Sequence, residues 1–276
     1  MEKLLFGTAG IPISTKQPGT INGIKQVKNL NLDAMELEFV RSINISEKAA
    51  LEVKKTAKEN NIVHTCHAPY FINLNSSDKL KLAASRQRII QSAKIADLCG
   101  CYSMIFHAGF YQGIEKEKVY NNIKMNMKLI ISELKNKGIN ITLRPELTGK
   151  PTQFGELNEL IRLSSEIENV LPGIDFAHYH ARSNKDNNYD DFARLLASIE
   201  SNLGKNALYN MHIHIAGINY SEKGEKNHLN LRDSDMNYKD LMKSFKDFNI
   251  RGVVISESPN IEGDAIFLKE LFFKKK

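Results

Sequence analysis

Short runs of β-branched and apolar residues alternate along this chain with longer segments in which apolar residues recur every three or four positions. The short runs are typical of buried strands, and the longer segments have the periodicity of helices with one apolar face. The candidate strands are 3–7, 34–39, 62–67, 102–107, 140–146, 172–176, 208–216 and 252–257. The candidate helices lie near 20–29, 46–60, 78–99, 114–137, 153–167, 188–203, 237–249 and 261–273.

Eight strands that alternate with eight helices predict an α/β fold, the (β/α)8 or TIM barrel. The chain has 276 residues, which suits the ~250 residues typical of this barrel. No Pro/Gly-rich linker divides the pattern, so we predict a single barrel domain over residues 1–276. A doubly wound open sheet is the alternative, but its first turn usually carries GxGxxG, and the turn GTAGIPIST lacks that motif.

The composition narrows the class of protein without choosing a function. Hydrophobic residues make up 42% and charged residues 25%, as in ordinary soluble globular proteins. No stretch approaches the ~20 apolar residues of a membrane span, the start MEKLLFGTAG lacks a signal-peptide core, and Cys66, Cys99 and Cys101 form no CxxC pair. We therefore expect a cytoplasmic protein with no membrane partner. The net charge of +6 permits a DNA partner but does not select one.

Potential metal ligands stand at the ends of six strand-like segments. Because a parallel barrel gathers the carboxyl ends of its strands around one mouth, ligands far apart in the sequence would meet there. Imidazole nitrogens and carboxylate oxygens are ligands of zinc and manganese, and a bridging carboxylate can hold two ions. The pattern therefore predicts a multinuclear metal site. Its candidate ligands are His67, His107, Glu146, Asp175 (with His178 three residues on), His214 and Glu257.

Each of these residues also has a simpler interpretation. A single histidine is more often a satisfied core or surface residue, but the same position recurs here on successive strands. Asp175 and Glu257 carry the most weight, because unpaired carboxylates within buried runs would be costly. The strand 208–216 holds His212 and His214 on the same face, and we prefer His214 because it lies nearer the strand exit. His180 poses a similar choice beside His178.

Seven segments resemble the metal motifs of the endonuclease IV family of apurinic/apyrimidinic endonucleases. They occur in the family's order through nearly the whole chain, and HAPYFINL and PELTGKPTQFG are the most specific. The resemblance implies a (β/α)8 barrel with three zinc ions that hydrolyses the DNA phosphodiester 5′ to an abasic site. The segments are HAPYFINL (67–74), IFHAG (105–109), LRPELTGKPTQFG (143–155), IDFAH (174–178), HIAG (214–217), HLNL (228–231) and ISESP (255–259).

The resemblance also implies a role for each ligand. Glu146 would bridge two ions and be the central catalytic residue. His67 and His107 would complete the first ion's ligands, and Asp175, His214 and Glu257 the second ion's, while His178 and His228 would hold a third. The family has an aspartate where this chain has Lys226, two residues before His228. Glu225 is one residue off that position, so the third site uses Glu225, uses a water or binds metal weakly. We expect two to three zinc ions, with manganese as the alternative.

The expected partner is double-stranded DNA that contains an abasic site, bound by a monomer. Tyr70 and Phe71 match the positions at which the family inserts side chains at the lesion, and aromatic wedges can replace lost base stacking. The alternative is that both side chains pack within their loop. The family's arginine-bearing loop after the second strand has no convincing counterpart, because Glu36, Glu38 and Phe39 occupy ELEFVRS and only Arg41 is nearby.

Two other functions remain open. The first is a divalent-metal sugar isomerase or epimerase of the xylose-isomerase-like barrels, whose sites usually hold one or two ions with more carboxylates. The second is a catalytically idle barrel that binds metal or DNA, which the Lys226 departure would allow. The six strand-end ligands favour the hydrolase.

Overall fold

Eight parallel strands form the wall of a barrel in the computed structural model, which describes residues 1–274. Its strands are β1 (Leu4–Ala9), β2 (Ala34–Glu38), β3 (Val63–His67), β4 (Ser103–Phe106), β5 (Thr142–Pro145), β6 (Ile174–Asp175), β7 (Met211–Ile215) and β10 (Gly252–Ser256). Around the sheet the order is β5-β4-β3-β2-β1-β10-β7-β6. Backbone hydrogen bonds close the ring between β5 and the segment before β6, from Leu147 N to Gly173 O at 2.9 Å and from Gly173 N to Pro145 O at 3.0 Å. The predicted (β/α)8 barrel is thereby confirmed.

Helices surround this wall and bury their apolar faces against it. In the longest helix the buried residues include Val119, Ile123, Met127, Ile130 and Leu134, at the three- and four-residue spacings that the sequence predicts. The helices are α1 (Thr20–Asn29), α2 (Glu47–Asn60), α3 (Lys79–Leu98), α4 (Lys116–Asn136), α5 (Leu157–Glu166), α6 (Phe176–Ser183), α7 (Tyr189–Leu203), α8 (Lys205–Leu208), α9 (Tyr238–Asp247) and α10 (Glu262–Phe273). No helix within residues 1–274 is long and apolar enough to cross a membrane.

One extra helix begins directly where the sixth barrel strand ends. The predicted strand 172–176 is only Ile174–Asp175, because Asp175 is also the N-cap of α6. One carboxylate oxygen of Asp175 accepts a hydrogen bond from His178 N at 2.7 Å. Strand and helix therefore meet at a single residue, which holds Asp175 and His178 together at the barrel mouth.

An antiparallel hairpin after β7 is a further feature that the sequence pattern did not predict. Its strands are β8 (Gly217–Ser221) and β9 (Gly224–Leu229), and they form a separate two-stranded sheet. The hairpin lies outside the barrel wall, and its backbone joins the loop after β5 through a hydrogen bond from Glu225 N to Gly149 O at 3.1 Å. This contact brings the hairpin's side chains to the mouth.

Arg182 holds the loop after β5 in place. Its guanidinium donates hydrogen bonds to the carbonyl oxygens of Thr148, Lys150 and Gln153 at 3.1, 2.8 and 3.0 Å. Three backbone acceptors on one planar donor fix the path of the loop that borders the mouth.

Candidate metal centre

Glu146 lies at the centre of the barrel mouth, between histidines from two neighbouring strand ends. Its Oε2 is 2.9 Å from His107 Nε2 and 3.5 Å from His67 Nε2. Glu146 and His67 are buried, while His107 is partly exposed to the cavity. Ligand atoms of these three residues all lie within 4.8 Å of one another, which defines the first donor set.

A second donor set shares Glu146. His214 Nδ1 is 3.2 Å from Glu146 Oε1 and 3.2 Å from Glu257 Oε2. Asp175 completes the set, and the four ligand atoms lie within 4.8 Å of one another. The four residues come from the carboxyl ends of β5, β6, β7 and β10, as the strand-end pattern predicts.

A third donor set shares Asp175 and extends to the hairpin. It contains Asp175, His178 and His228, again within 4.8 Å. Glu225 adds a further carboxylate, with its Oε2 3.4 Å from His178 Nε2. Two carboxylates, Glu146 and Asp175, thus link three adjacent donor sets.

A β-bulge in β9 places Glu225 and His228 at the same mouth. The register pairs Asn219 with Asn227 and Tyr220 with Glu225, so Lys226 is the extra residue without a partner. In a regular strand, residues three apart would point to opposite faces. Because of the bulge, Glu225 and His228 both line the cavity while Lys226 is exposed to solvent.

Gly149 makes this close approach of the hairpin possible. A Cβ atom at Gly149 would lie 2.7 Å from the Cβ atom of Glu225 and 3.0 Å from Cδ2 of His178. Any larger residue would therefore push the hairpin away from α6. A side chain at this position of the segment LRPELTGKPTQFG would therefore collide with Glu225, which explains why the residue is a glycine.

The donor atoms fit a group of divalent cations. Among residues 1–274, Glu146 Oε2, Asp175 Oδ2 and His228 Nε2 are buried without a well-aligned hydrogen-bond partner. Buried polar atoms that lack partners are costly unless a ligand satisfies them. Mixed imidazole and carboxylate donors suit zinc or manganese.

The charges of the site support the same interpretation. Burial and the nearby charges of Glu257 and Glu146 raise the pKa of Asp175 well above its ordinary value. Burial also opposes ionisation of Glu146, but its pKa is well below normal because charge attraction and hydrogen bonds from His107, with hydrogen bonds from His214 and His67, outweigh burial. Repulsion among buried carboxylates is what bound cations would relieve.

The sequence left a choice between two histidines at two places, His212 or His214 and His178 or His180. His214 lies in the second donor set, whereas His212 lies one layer deeper, with Nε2 2.8 Å from Glu36 Oε2. His180 points elsewhere, because its Nε2 contacts Asp235 Oδ1 at 3.2 Å. In each pair, the structure brings to the mouth the histidine that belongs to the candidate ligand set, His214 or His178.

Three side chains that the sequence interpretation did not single out also line the cavity at the mouth: Phe110, Lys150 and Gln153. Tyr70 lines it too, and its ring lies 5.5 Å from that of His67. Phe71 is not a lining residue, but its side chain is 63% exposed on the same loop. The only signal in the sequence for Phe110 is that it directly follows the IFHAG segment.

Fold and donor sets together define an α/β barrel with a multinuclear candidate metal centre at the mouth formed by the carboxyl ends of its strands. The model of the xylose isomerase-like TIM barrel family matches residues 24–274, and the chain belongs to this family. It is 43% identical over 270 residues to an uncharacterized protein of Methanocaldococcus jannaschii, with 98% of this chain and 97% of that protein covered.

More distant relatives include endonucleases. Over 214 residues the chain is 22% identical to a probable endonuclease 4 of Mycoplasma genitalium, with 76% of this chain and 71% of that protein covered. The resemblance to endonuclease IV is thereby supported as a distant relationship within the family.

Two solved structures with different named activities share the fold about equally well. A D-tagatose 3-epimerase-like protein superimposes with a TM-score of 0.73 at 17% identity, covering 96% of this chain and 95% of that one. Endonuclease IV from Thermus thermophilus superimposes with a TM-score of 0.71 at 16% identity, covering 96% of this chain and 97% of that one. These likenesses show the barrel fold alone, so the reaction has to be inferred from the residues of the site.

Proposed function

We propose that this protein is a metal-dependent endonuclease that hydrolyses the DNA phosphodiester 5′ to an abasic site. The single observation that carries the proposal is the linkage of three donor sets through Glu146 and Asp175. Three adjacent cation positions suit a phosphodiester, because the attacking and leaving oxygens and the non-bridging oxygens all carry charge in the transition state.

Each part of the mouth has a separate task in this proposal. Divalent ions bound there would polarise the phosphate and supply a water that ionises near neutral pH. Glu146 holds the first and second donor sets in register, since its two oxygens face different histidines. Asp175 belongs to both the second and the third set and so links them. Lys150, which lines the cavity, offers a positive charge to a neighbouring phosphate.

Aromatic side chains at the rim suit a duplex that lacks a base. Tyr70 is 52% and Phe71 63% exposed on the loop after β3, and Phe110 is 37% exposed after β4. Exposed aromatic rings beside a charged cavity can stack where a base is missing. We propose double-stranded DNA with an abasic site as the partner, bound by a monomer.

The test is cleavage of a duplex that contains one abasic site by protein purified without chelator. The expected result is a single cut 5′ to the lesion, with an intact duplex left uncut under the same conditions. Glu146→Gln, which keeps the side-chain volume, is the matched negative control. Failure of the wild-type protein to cut any abasic duplex, with metal bound, would reject the nuclease proposal.

A sugar epimerase is the second candidate, and the second donor set favours it. Glu146, Asp175, His214 and Glu257 are sufficient by themselves to hold one ion. Glu146 and Glu257 also provide two carboxylates within 4.8 Å, and such a pair can remove and return a proton at a sugar carbon. This reaction has no need of His228. His228→Ala therefore separates the two functions, because it should impair cleavage and leave epimerisation unchanged.

A further inference from the structure

Beneath the second donor set lies a fully enclosed polar layer that faces the barrel interior. Glu36 on β2 and His212 on β7 are 0% exposed, and so is Ser103 on β4. Glu36 Oε1 is 2.7 Å from His214 Nε2, and Glu36 Oε2 is 2.8 Å from His212 Nε2. His212 Nδ1 is in turn 3.0 Å from Ser103 Oγ. A single carboxylate thus lies between two histidines of the same strand.

The chemistry of these groups allows few proton arrangements. An ionised carboxylate only accepts hydrogen bonds, so each ring must present an N–H to Glu36. A neutral His212 that donates from Nε2 accepts at Nδ1, and the Ser103 hydroxyl can donate to it. A neutral His214 that donates from Nε2 has its lone pair on Nδ1, the nitrogen that faces Glu146 and Glu257.

We propose that Glu36 is a positioning residue that holds His214 in the Nε2–H tautomer, so that the Nδ1 lone pair points into the second donor set. Ser103 and His212 orient Glu36 from behind. The inference rests on the metal site proposed above and is independent of the substrate. Ring orientation and basicity of a ligating histidine commonly depend on such a partner.

A fourth metal position is the competing explanation, since Glu36, His212 and His214 also form a group of close donor atoms. Each ring here has its own oxygen of Glu36, at 2.7 Å from His214 Nε2 and 2.8 Å from His212 Nε2, which is the arrangement of two separate N–H···O contacts. The three side chains are also completely buried, so the layer has no opening to solvent.

Neither contact is fully aligned with the N–H direction of its ring. Within residues 1–274 the two oxygens of Glu36 nevertheless have no other hydrogen-bond partner. A buried carboxylate without donors would be unstable, so a small ring rotation that aligns both bonds is the favourable adjustment.

The first experiment is a double-mutant cycle read as metal affinity, by zinc titration of the metal-free chain against a competing chelator. In Glu36→Gln, the amide oxygen can still accept from His214 while its NH2 donates to His212, which then donates from Nδ1 to Ser103. We expect a loss of about tenfold in affinity at one position, the lower end of the range for such partners. Ser103→Ala alone should change affinity by less than about twofold, because Glu36 still fixes both rings.

The double variant is the decisive one. Without Ser103, His212 has no acceptor for an Nδ1 proton, so His212 and His214 compete for the single amide oxygen. We expect a further loss of about tenfold beyond the product of the two single effects. Additive effects of the two substitutions would contradict the proposal. Unchanged circular dichroism of the metal-free variants is the check that all of them fold.

The second experiment observes the tautomer directly. In zinc-loaded protein with ¹⁵N-labelled histidine, we expect His214 to carry its proton on Nε2 with Nδ1 bound to metal, and this signal should weaken in the double variant. Wild-type zinc binding through Nε2 of His214 would overturn the inference while leaving the metal site intact. Absence of zinc binding by the wild-type chain would overturn both, so the two failures are distinguishable.

Discussion

The strand ends and the hairpin contribute to the same mouth in different ways. Glu146, Asp175 and His214 stand on the parallel strands of the barrel wall and are 0–1% exposed. Glu225 and His228 stand on a two-stranded hairpin outside the wall and are half-buried. The strand-end ligands stand on the hydrogen-bonded wall of the barrel, whereas the hairpin ligands depend on a bulge and on contact with Gly149. We therefore expect the third position to bind its cation most weakly of the three.

The largest effect should come from the strand-end side. Glu146→Gln removes the charge that links the first and second donor sets, so both positions lose affinity and cleavage of an abasic duplex should be nearly abolished. The fold should persist, because the amide keeps the volume of the carboxylate. The measurement is zinc content together with single-turnover cleavage. Turnover close to that of wild type would place the chemistry elsewhere.

A smaller effect should follow from a change on the hairpin side. His228→Ala removes one ligand of the third set and should lower the zinc content by one ion per chain. The affinity of that position should fall by at least the ~10–100-fold that loss of an outer-shell partner costs. Lys226→Ala is the matched control, because Lys226 lies in the same strand but points to solvent. Equal losses in both variants would indicate a general disturbance of the hairpin.

The sequence predicted the strand-end side better than the hairpin side, for a physical reason. A ligand at the end of an apolar run is visible as a pattern, and the barrel fold then converts six such positions into one site. A β-bulge leaves no such pattern, so Glu225 could only be named as an alternative to Lys226. The resemblance, and not periodicity, pointed to His228.

Glu36 shows a second limit of the sequence interpretation. The segment ELEFVRS has only Arg41 where the resemblance leads us to expect an arginine-bearing loop, yet its Glu36 faces His212 and His214 inside the barrel. Nothing in a run that alternates acidic and apolar residues shows that its partner is a histidine more than 170 residues away. Such a pairing requires the sheet order, in which β2 and β7 contribute to the same interior layer.

Gly149 tests the steric difference between the hairpin and the strand ends. Gly149→Ala would place a Cβ atom 2.7 Å from Cβ of Glu225, so the hairpin must shift. Overpacking of this kind costs about 1–3 kcal/mol of stability. We expect weaker zinc binding at the third position with the first and second positions retained, measured by titration and thermal unfolding. Retention of all bound ions with wild-type affinity would show that the hairpin tolerates the shift.

The smallest effect concerns the rim, where neither the strand ends nor the hairpin provides the contacts. Tyr70 packs beside the His67 ring and lines the cavity, while Phe71 is the more exposed of the two and lies outside the lining. If both stack at the lesion, Tyr70→Ala and Phe71→Ala should each weaken binding of an abasic duplex by about 1–3 kcal/mol, with zinc content unchanged. The measurement is affinity for abasic and intact duplexes at one fixed salt concentration, because phosphate contacts vary with salt. Since only Tyr70 faces the cavity, we expect its substitution to reduce the preference for the abasic duplex more than substitution of Phe71 does. An equal loss for both duplexes in the Tyr70 variant would mean that the ring only packs its loop and that the metal-lined cavity selects the lesion.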